Sequence, residues 1–265
     1  MKFLSKFYVG IIYFFLYIPI AVLIVFSFND TKSRTVFTGF TMKWYEKLFT
    51  NDVILSALFN TLLVALVAGI CAVILGTFAA IGINAMNSRL RSVLLNISYF
   101  PIINPDIITG VSLMLLFIFL KMKLGYTTLI LAHITFNVPI VIFNVLPKLR
   151  QMDKNVYNAA LDLGCNPAQA FKKVVLPEIM PGIAAGFLLS ITYSFDDFVV
   201  SYFTSGPKSQ TLSVVIYSMV RLKVSPEINA LSTIMFVVVL FILLLVNIAG
   251  VRKEKREIKM IEGEN

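Results

Sequence analysis

The sequence predicts an all-α integral membrane protein of six transmembrane helices, with both termini on the cytoplasmic side. Three observations carry that expectation. The first is the solvent: 58% of the 265 residues are hydrophobic, 14% are charged and the mean hydropathy is +0.86. That is more apolar surface than a water-soluble domain of this size can bury. The second is length, because six apolar runs reach the roughly 20 residues that a spanning helix requires. The third is the placement of Lys and Arg, which gather on one set of loops.

The first run covers residues 8–28. Lys2 and Lys6 precede it, as in a secretory signal, but it is too long for such a core and no small-residue cleavage site follows. It is expected to stay as an anchor. Loop 29–51 then carries Trp44, Tyr45 and Phe49 interleaved with Lys43 and Lys47. This pattern predicts a short helix lying at the membrane interface, either an anchor or a ledge for an external partner.

The second run, 55–83, places Ala68, Ala72, Gly76 and Ala80 four apart, a stripe that lets another helix approach closely. Packing within the bundle and contact with another subunit both fit it. A short inner turn, 84–92, leads to the third run, 93–120, with Pro101 and Pro105 one turn apart. Each proline removes a donor and frees the carbonyl a turn earlier, which predicts a kinked helix whose carbonyls could meet a cation. The fourth run, 127–146, holds His133, Asn137 and Asn144, read as hydrogen-bonded packing groups.

The fifth run, 183–202, contains the adjacent acids Asp196 and Asp197, and Asp106 lies within the third. A carboxylate at the centre of a membrane helix costs about 2.5–3.5 kcal/mol on insertion scales, so three of them call for a use. Ser190, Ser194, Asp197 and Ser201 recur at helical spacing with Tyr193 beside them, which predicts a polar stripe along a water-filled path. On straight helices Asp106 and Asp196 would stand at one depth and could flank one site. Interhelical hydrogen bonding is the competing role for all three. The sixth run, 228–251, is followed by a charged tail.

The net charge of +9 comes largely from basic residues on the cytoplasmic side, among them Arg89, Arg91, Lys148, Arg150, Lys172 and Lys173. It is topological, so nucleic acid is not an expected partner and membrane lipid is. Cys71 and Cys165 are read as free thiols. No side-chain cluster has metal-ligand spacing, and no nucleophile–base set is present. Segment 205–209, Ser-Gly-Pro-Lys-Ser, lacks the order of a phosphate-binding loop. No cofactor is expected in this chain, and energy must come from a partner.

Between the fourth and fifth runs lies a polar island, cytoplasmic loop 148–182. Its segment 158–182 reads NAALDLGCNPAQAFKKVVLPEIMPG. It resembles the "EAA" loop of the membrane subunits of ATP-binding-cassette importers, with Ala159, Ala160, Gly164, Leu176 and Pro177 on the pattern and Asn158 where the family usually has Glu. Segments SFDDFVVS (194–201), TSGP (204–207), YSMV (217–220) and VSPEINAL (224–231) resemble the permeases of spermidine/putrescine importers. The resemblance covers residues from about 8 to 247.

The resemblance implies the type I importer permease fold, a single transmembrane domain over residues 1–265, and a non-catalytic subunit of a bacterial cytoplasmic-membrane importer for polyamines. It implies a second, PotB-like permease, two copies of a PotA-like ATPase that bind ATP and Mg, and an extracytoplasmic PotD-like binding protein. Asn158, Ala159, Ala160, Asp162 and Gly164 would form the ATPase coupling loop. Asp106, Asp196, Asp197 and Tyr193 are the candidate substrate path, since carboxylates and aromatic faces suit flexible polycations. Two rivals remain: a permease of the same fold for another small organic cation, and a stand-alone channel or ion-coupled carrier.

Overall fold

The computed structural model describes residues 2–31, 33, 36–222, 226–238 and 240–241. The regular elements among them are helices: α1 Lys2–Ser27, α2 Lys43–Phe49, α3 Asp52–Ala85, α4 Ser88–Ile103, α5 Asp106–Phe119, α6 Tyr126–Gln151, α7 Lys154–Asp162, α8 Pro167–Ala170, α9 Leu176–Asp196, α10 Val199–Thr204, α11 Leu212–Leu222 and α12 Pro226–Val238. A π-helical turn, Phe171–Val175, joins α8 to α9. Four stretches are long and apolar enough to cross a membrane: Lys6–Ser27, Asp52–Ala85, Tyr126–Gln151 and Pro167–Asp196. The pair α4 and α5 passes the same test together, bent by 102°. The expected sixth run is described only in its first half, to residue 241, and the charged tail lies wholly outside the described residues.

The chain divides into two compact units, residues 1–52 with 216–265, and residues 53–215. In the first unit the loop after α1 folds around Asn29, which is fully buried. Its amide donates to the carbonyls of Ser33 (3.2 Å) and Val36 (3.0 Å). Its side-chain oxygen accepts from the backbone N–H (2.8 Å) and hydroxyl (3.0 Å) of Thr38. The expected short helix is α2. Trp44, however, is not an interfacial anchor: it is buried, and its indole N–H donates to the Asn29 carbonyl at 2.7 Å. The indole supplies the donor that this carbonyl needs (a buried carbonyl without a partner is costly).

In the same unit the Lys47 ammonium pairs with Glu227, whose side chain is 8% exposed against 58% for Lys47. Removing Lys47 would leave a buried charge without its partner, which destabilises more than the intact pair stabilises. Lys47→Met is therefore expected to lower the thermal midpoint of the purified protein, and Lys47→Met with Glu227→Gln to recover most of the loss. A double variant as unstable as the single one would refute the pairing.

The second unit is built on close approach. The buried face of α3 carries Ala57, Ala65, Ala68, Ala72, Gly76 and Ala80, and that of α9 carries Gly182, Gly186, Ser190 and Ser194. Val141 of α6 fills both stripes. A Cβ added at Gly76 would stand 2.7 Å from the Val141 Cβ, and one at Gly186 would stand 3.1 Å from its Cα. The expected small-residue stripe is thus a packing seam inside the bundle. Ala72, Ala80, Val145, Leu149 and Ile179 complete this core. Arg91, whose charge reads as topological, also caps α3: it donates to the carbonyls of Ile83 (3.2 Å), Asn84 (2.6 Å) and Met86 (2.9 Å).

Two of the expected spans are not single helices. The third breaks at Asn104–Pro105, where Asn104 is extended (φ −69°, ψ 138°). A residue before proline is pushed out of the helical region, so the bend falls one residue ahead of Pro105, while Pro101 stays inside α4. The fifth begins earlier than expected and stops at Asp196, with Asp197 extended (φ −60°, ψ 123°) before α10. Near these breaks segment 205–209 is no phosphate loop. Gly206 donates to the Ser209 hydroxyl at 2.9 Å and lies so close to the Leu124 carbonyl that no side chain fits. Asn60 ties the same segment down, donating to the carbonyls of Lys208 (3.3 Å) and Gln210 (3.0 Å).

Candidate functional site: an acidic cavity and an exposed helix

The two breaks face one cavity of about 410 Å³ within the second unit. Asp106, Asp196, Asp197 and Tyr193, the four residues proposed for the path from sequence, all line it. The straight-helix argument that put Asp106 and Asp196 at one depth does not survive the 102° bend. The breaks themselves bring the acids together, because Asp106 opens α5 and Asp196 closes α9. Among the described residues no Lys or Arg side chain lies within 4 Å of the three carboxylates.

The acids are not equivalent. Asp106 and Asp196 are exposed in the cavity. Asp197 is only 10% exposed and is engaged by the start of α10: its Oδ1 accepts from the Val200 N–H at 3.3 Å and its Oδ2 from the Ser201 N–H at 2.7 Å. Sequence periodicity put Asp197, rather than Asp196, on the polar stripe expected along a water-filled path. The chain break reverses that order, since rotation about a helix axis no longer relates the two. The serine stripe is likewise not a water path. Ser190, Ser194 and Ser201 are buried against α6, where the Asn137 amide donates to the Ser194 hydroxyl at 2.7 Å.

Sequence reasoning missed Phe136 and Phe198, which add aromatic walls beside Tyr193. Phe198 stands in the SFDDFVVS segment and was within reach. Phe136 was not, because nothing in an apolar run marks which of its aromatics meets a cavity. His133 was read as a packing group and is fully buried, yet its Nε2 lies 3.1 Å from the Ser201 hydroxyl and 3.7 Å from Asp197 Oδ2.

The second candidate region is the polar island. Helix α7 begins with Asp153 accepting from the Asn155 N–H at 2.9 Å. It ends in two bonds that define a left-handed glycine stop: Cys165 N–H to the Ala160 carbonyl (3.0 Å) and Gly164 N–H to the Leu161 carbonyl (2.9 Å), with Gly164 at φ +88°. The Asn166 and Gln169 side chains then cap α8 reciprocally. Asn158, Ala159, Asp162 and Gly164 are exposed and Ala160 is half-buried. Val156 (50% exposed) and Leu163 (87% exposed) join Ala159 and Ala160 at helical spacing. The result is an exposed apolar strip on α7, whose Val156 and Leu163 ends the sequence reading did not single out.

Comparison with known proteins agrees with this architecture. A permease of the spermidine/putrescine transport system of Escherichia coli K12, PotC, is 40% identical over 226 residues, covering 85% of this chain and 86% of that one. The PotC permease of Haemophilus influenzae is 37% identical over 243 residues (92% and 95%). The putrescine transport permease PotI of E. coli K12 is 37% identical over 263 residues (94% and 91%). In fold, the chain resembles a bacterial importer of the acidic polysaccharide alginate, with TM-score 0.72 at 15% identity over 93% of this chain and 95% of that one. The same system in complex with its alginate-loaded periplasmic protein gives TM-score 0.70 at 18% identity, over 92% of each chain. With a family match running from residue 72 to residue 257, this multi-pass chain belongs to the inner membrane components of binding-protein-dependent transport systems.

Proposed function

We propose that this chain is the permease subunit of an ATP-driven importer that carries polyamines, spermidine and putrescine, into the cell. The observation that carries the reading is the cavity: three carboxylates with no Lys or Arg within 4 Å among the described residues, walled by Tyr193, Phe136 and Phe198. A flexible polycation with methylene spacers needs that combination of anionic and aromatic surface. The names of the relatives point to the same cargo. ATP hydrolysis belongs to a separate subunit, and this chain is not an enzyme.

In this reading the chain is one transmembrane domain over residues 1–265, with six spans and both ends cytoplasmic, in the bacterial cytoplasmic membrane. A PotB-like permease completes the path, two PotA-like ATPases hold ATP and Mg, and a PotD-like protein delivers the cargo. The exposed strip of α7, with Asn158, Ala159, Ala160, Asp162 and Gly164, docks on the ATPase. Asp106 and Asp196 meet the cargo's ammonium groups directly, and Asp197 presents a third charge from the cavity wall.

The test is uptake of labelled spermidine by the complete complex in proteoliposomes. Asp106→Asn and Asp196→Asn keep size but remove charge. Each is expected to cut uptake about tenfold, the effect of about 1.4 kcal/mol, while assembly and basal ATP hydrolysis persist. Wild-type uptake by both of these variants and by Asp197→Asn would make the acids structural. Competition by putrescine, but not by an unrelated organic cation, is expected and separates the polyamine reading from its first rival. Uptake without the ATPase would favour the carrier reading instead.

A further inference from the structure

Asp197 can present its charge only if something holds it at the point where the chain breaks. Two backbone N–H groups of α10 do part of this, at 3.3 and 2.7 Å. The rest of the support comes from another helix. Ser201, whose N–H already holds Oδ2, has its Oγ 3.1 Å from His133 Nε2, and that nitrogen itself stands 3.7 Å from Asp197 Oδ2. His133 stands on α6 with no exposed surface, its ring against Phe136 at a centroid separation of 5.0 Å. Its Nδ1 has no hydrogen-bond partner among the described residues.

These contacts fix the direction of the chain of bonds. With the proton on Nε2, the imidazole donates to the serine oxygen and turns an N–H toward the carboxylate. The alternative tautomer would put the Nε2 lone pair 3.7 Å from a carboxylate oxygen, which is repulsive. It would also bury an unpaired N–H at Nδ1, a costlier orphan than an unpaired acceptor.

We propose that His133 is a positioning residue for cation passage. Through Ser201 it clamps the Asp197 carboxylate against the cavity wall and ties the break between α9 and α10 to α6. The proposal rests on the reading of the cavity as a polyamine path. It adds a residue that does not line the cavity and touches no cargo. Phe136 is the other half of the device: it lines the cavity on one side and packs on the imidazole on the other. An ammonium at Asp197 therefore meets a carboxylate whose rear lone pairs are already occupied and whose front is the open direction. Loss of the clamp frees Asp197 to turn without removing its charge.

The experiment is a double-variant cycle on spermidine uptake by the complete complex in proteoliposomes. Ser201→Ala deletes one oxygen and is the gentle probe. His133→Leu removes the donor, and His133→Gln restores one at similar reach. Ser201→Ala and His133→Leu are each expected to lower uptake five- to tenfold, and His133→Gln to stay within about threefold of wild type. In the Asp197→Asn background none of the three should lower uptake by more than about twofold further, because a clamp without its charge has nothing to hold. A residue that merely packs would cost the same in both backgrounds. Equal losses with and without Asp197, or wild-type uptake by Ser201→Ala, overturn the proposal. Should His133→Leu fail to assemble, the cycle between Ser201→Ala and Asp197→Asn decides by the same criterion. If Asp106→Asn, Asp196→Asn and Asp197→Asn all import at the wild-type rate, the reading of the cavity fails first; if Asp197→Asn alone does, Asp197 leaves the path and the clamp is overturned. If it does not, and only the cycle is additive, His133 alone is reassigned to packing.

Discussion

Gly182→Val is expected to remove the folded protein from the membrane. A Cβ at this position would stand 2.6 Å from the Asn144 carbonyl oxygen, 3.0 Å from Lys148 Cγ and 3.2 Å from Val145 Cα. Two of these three neighbours are backbone atoms of α6 and cannot rotate away. Valine adds two methyl groups beyond that Cβ, so α9 would have to lift off α6 along the whole seam that Gly186, Ser190 and Ser194 continue. Overpacking costs about 1–3 kcal/mol where side chains can adjust, and a clash with backbone belongs at or above the top of that range. A loss of that size changes the folded fraction by about 5- to 30-fold or more. The measurement is the yield of monodisperse, partner-bound chain in detergent, against Gly82→Ala as a control, where an added Cβ meets nothing within 4 Å. Wild-type yield for Gly182→Val would mean that the two helices do not cross this closely.

Gly164→Val is expected to act in the opposite way, sparing the bundle and abolishing coupled transport. Nothing lies within 4 Å of a Cβ added here, so space is not the constraint. The backbone is: φ is +88°, and a left-handed conformation costs an ordinary L-residue about 1–2 kcal/mol, more when it is β-branched. Relieving that strain breaks both closing bonds of α7 and re-aims Ala159, Ala160 and Leu163. Uptake should fall at least about tenfold, the equivalent of about 1.4 kcal/mol, while the assembled permease is recovered in normal amount. Gly164→Asn is the control, since asparagine tolerates the left-handed region, and should keep most of the uptake. Undiminished uptake by Gly164→Val would remove α7 from the coupling path.

Much of this was legible in the sequence, for identifiable reasons. Apolar runs report lipid exposure directly, so α1, α3, α6 and α9 were found from length alone. The three acids that line the cavity stood out because a carboxylate in an apolar run is expensive, and Tyr193 because it lies beside their polar stripe. What failed was every inference that assumed a helix continues. Pro105 was read as a kink, although the residue before it must leave the helical region, which makes a break the stronger expectation. The stop at Asp196 had no proline or glycine to announce it. There the local signal is the carboxylate of Asp197, which competes with helix continuation by capping the next turn. The periodicity of Ser190, Ser194 and Ser201 was real, but a helical stripe says only that one face is polar. Whether it faces water or a neighbour's Asn137 and His133 depends on pairing across 57 and 68 residues of chain.

The two helix breaks have a kinetic consequence. Asp106 and Asp197 both sit at the start of a new helix, α5 and α10, where the unpaired N–H groups carry a partial positive charge equivalent to roughly half a proton charge for a long helix and less for a short one. Each carboxylate is therefore partly offset. On the polyamine reading proposed above, a polycation would meet a shallow well rather than a deep one and leave it quickly, so the driven movement of the protein, rather than escape from the acids, is expected to set the pace of import.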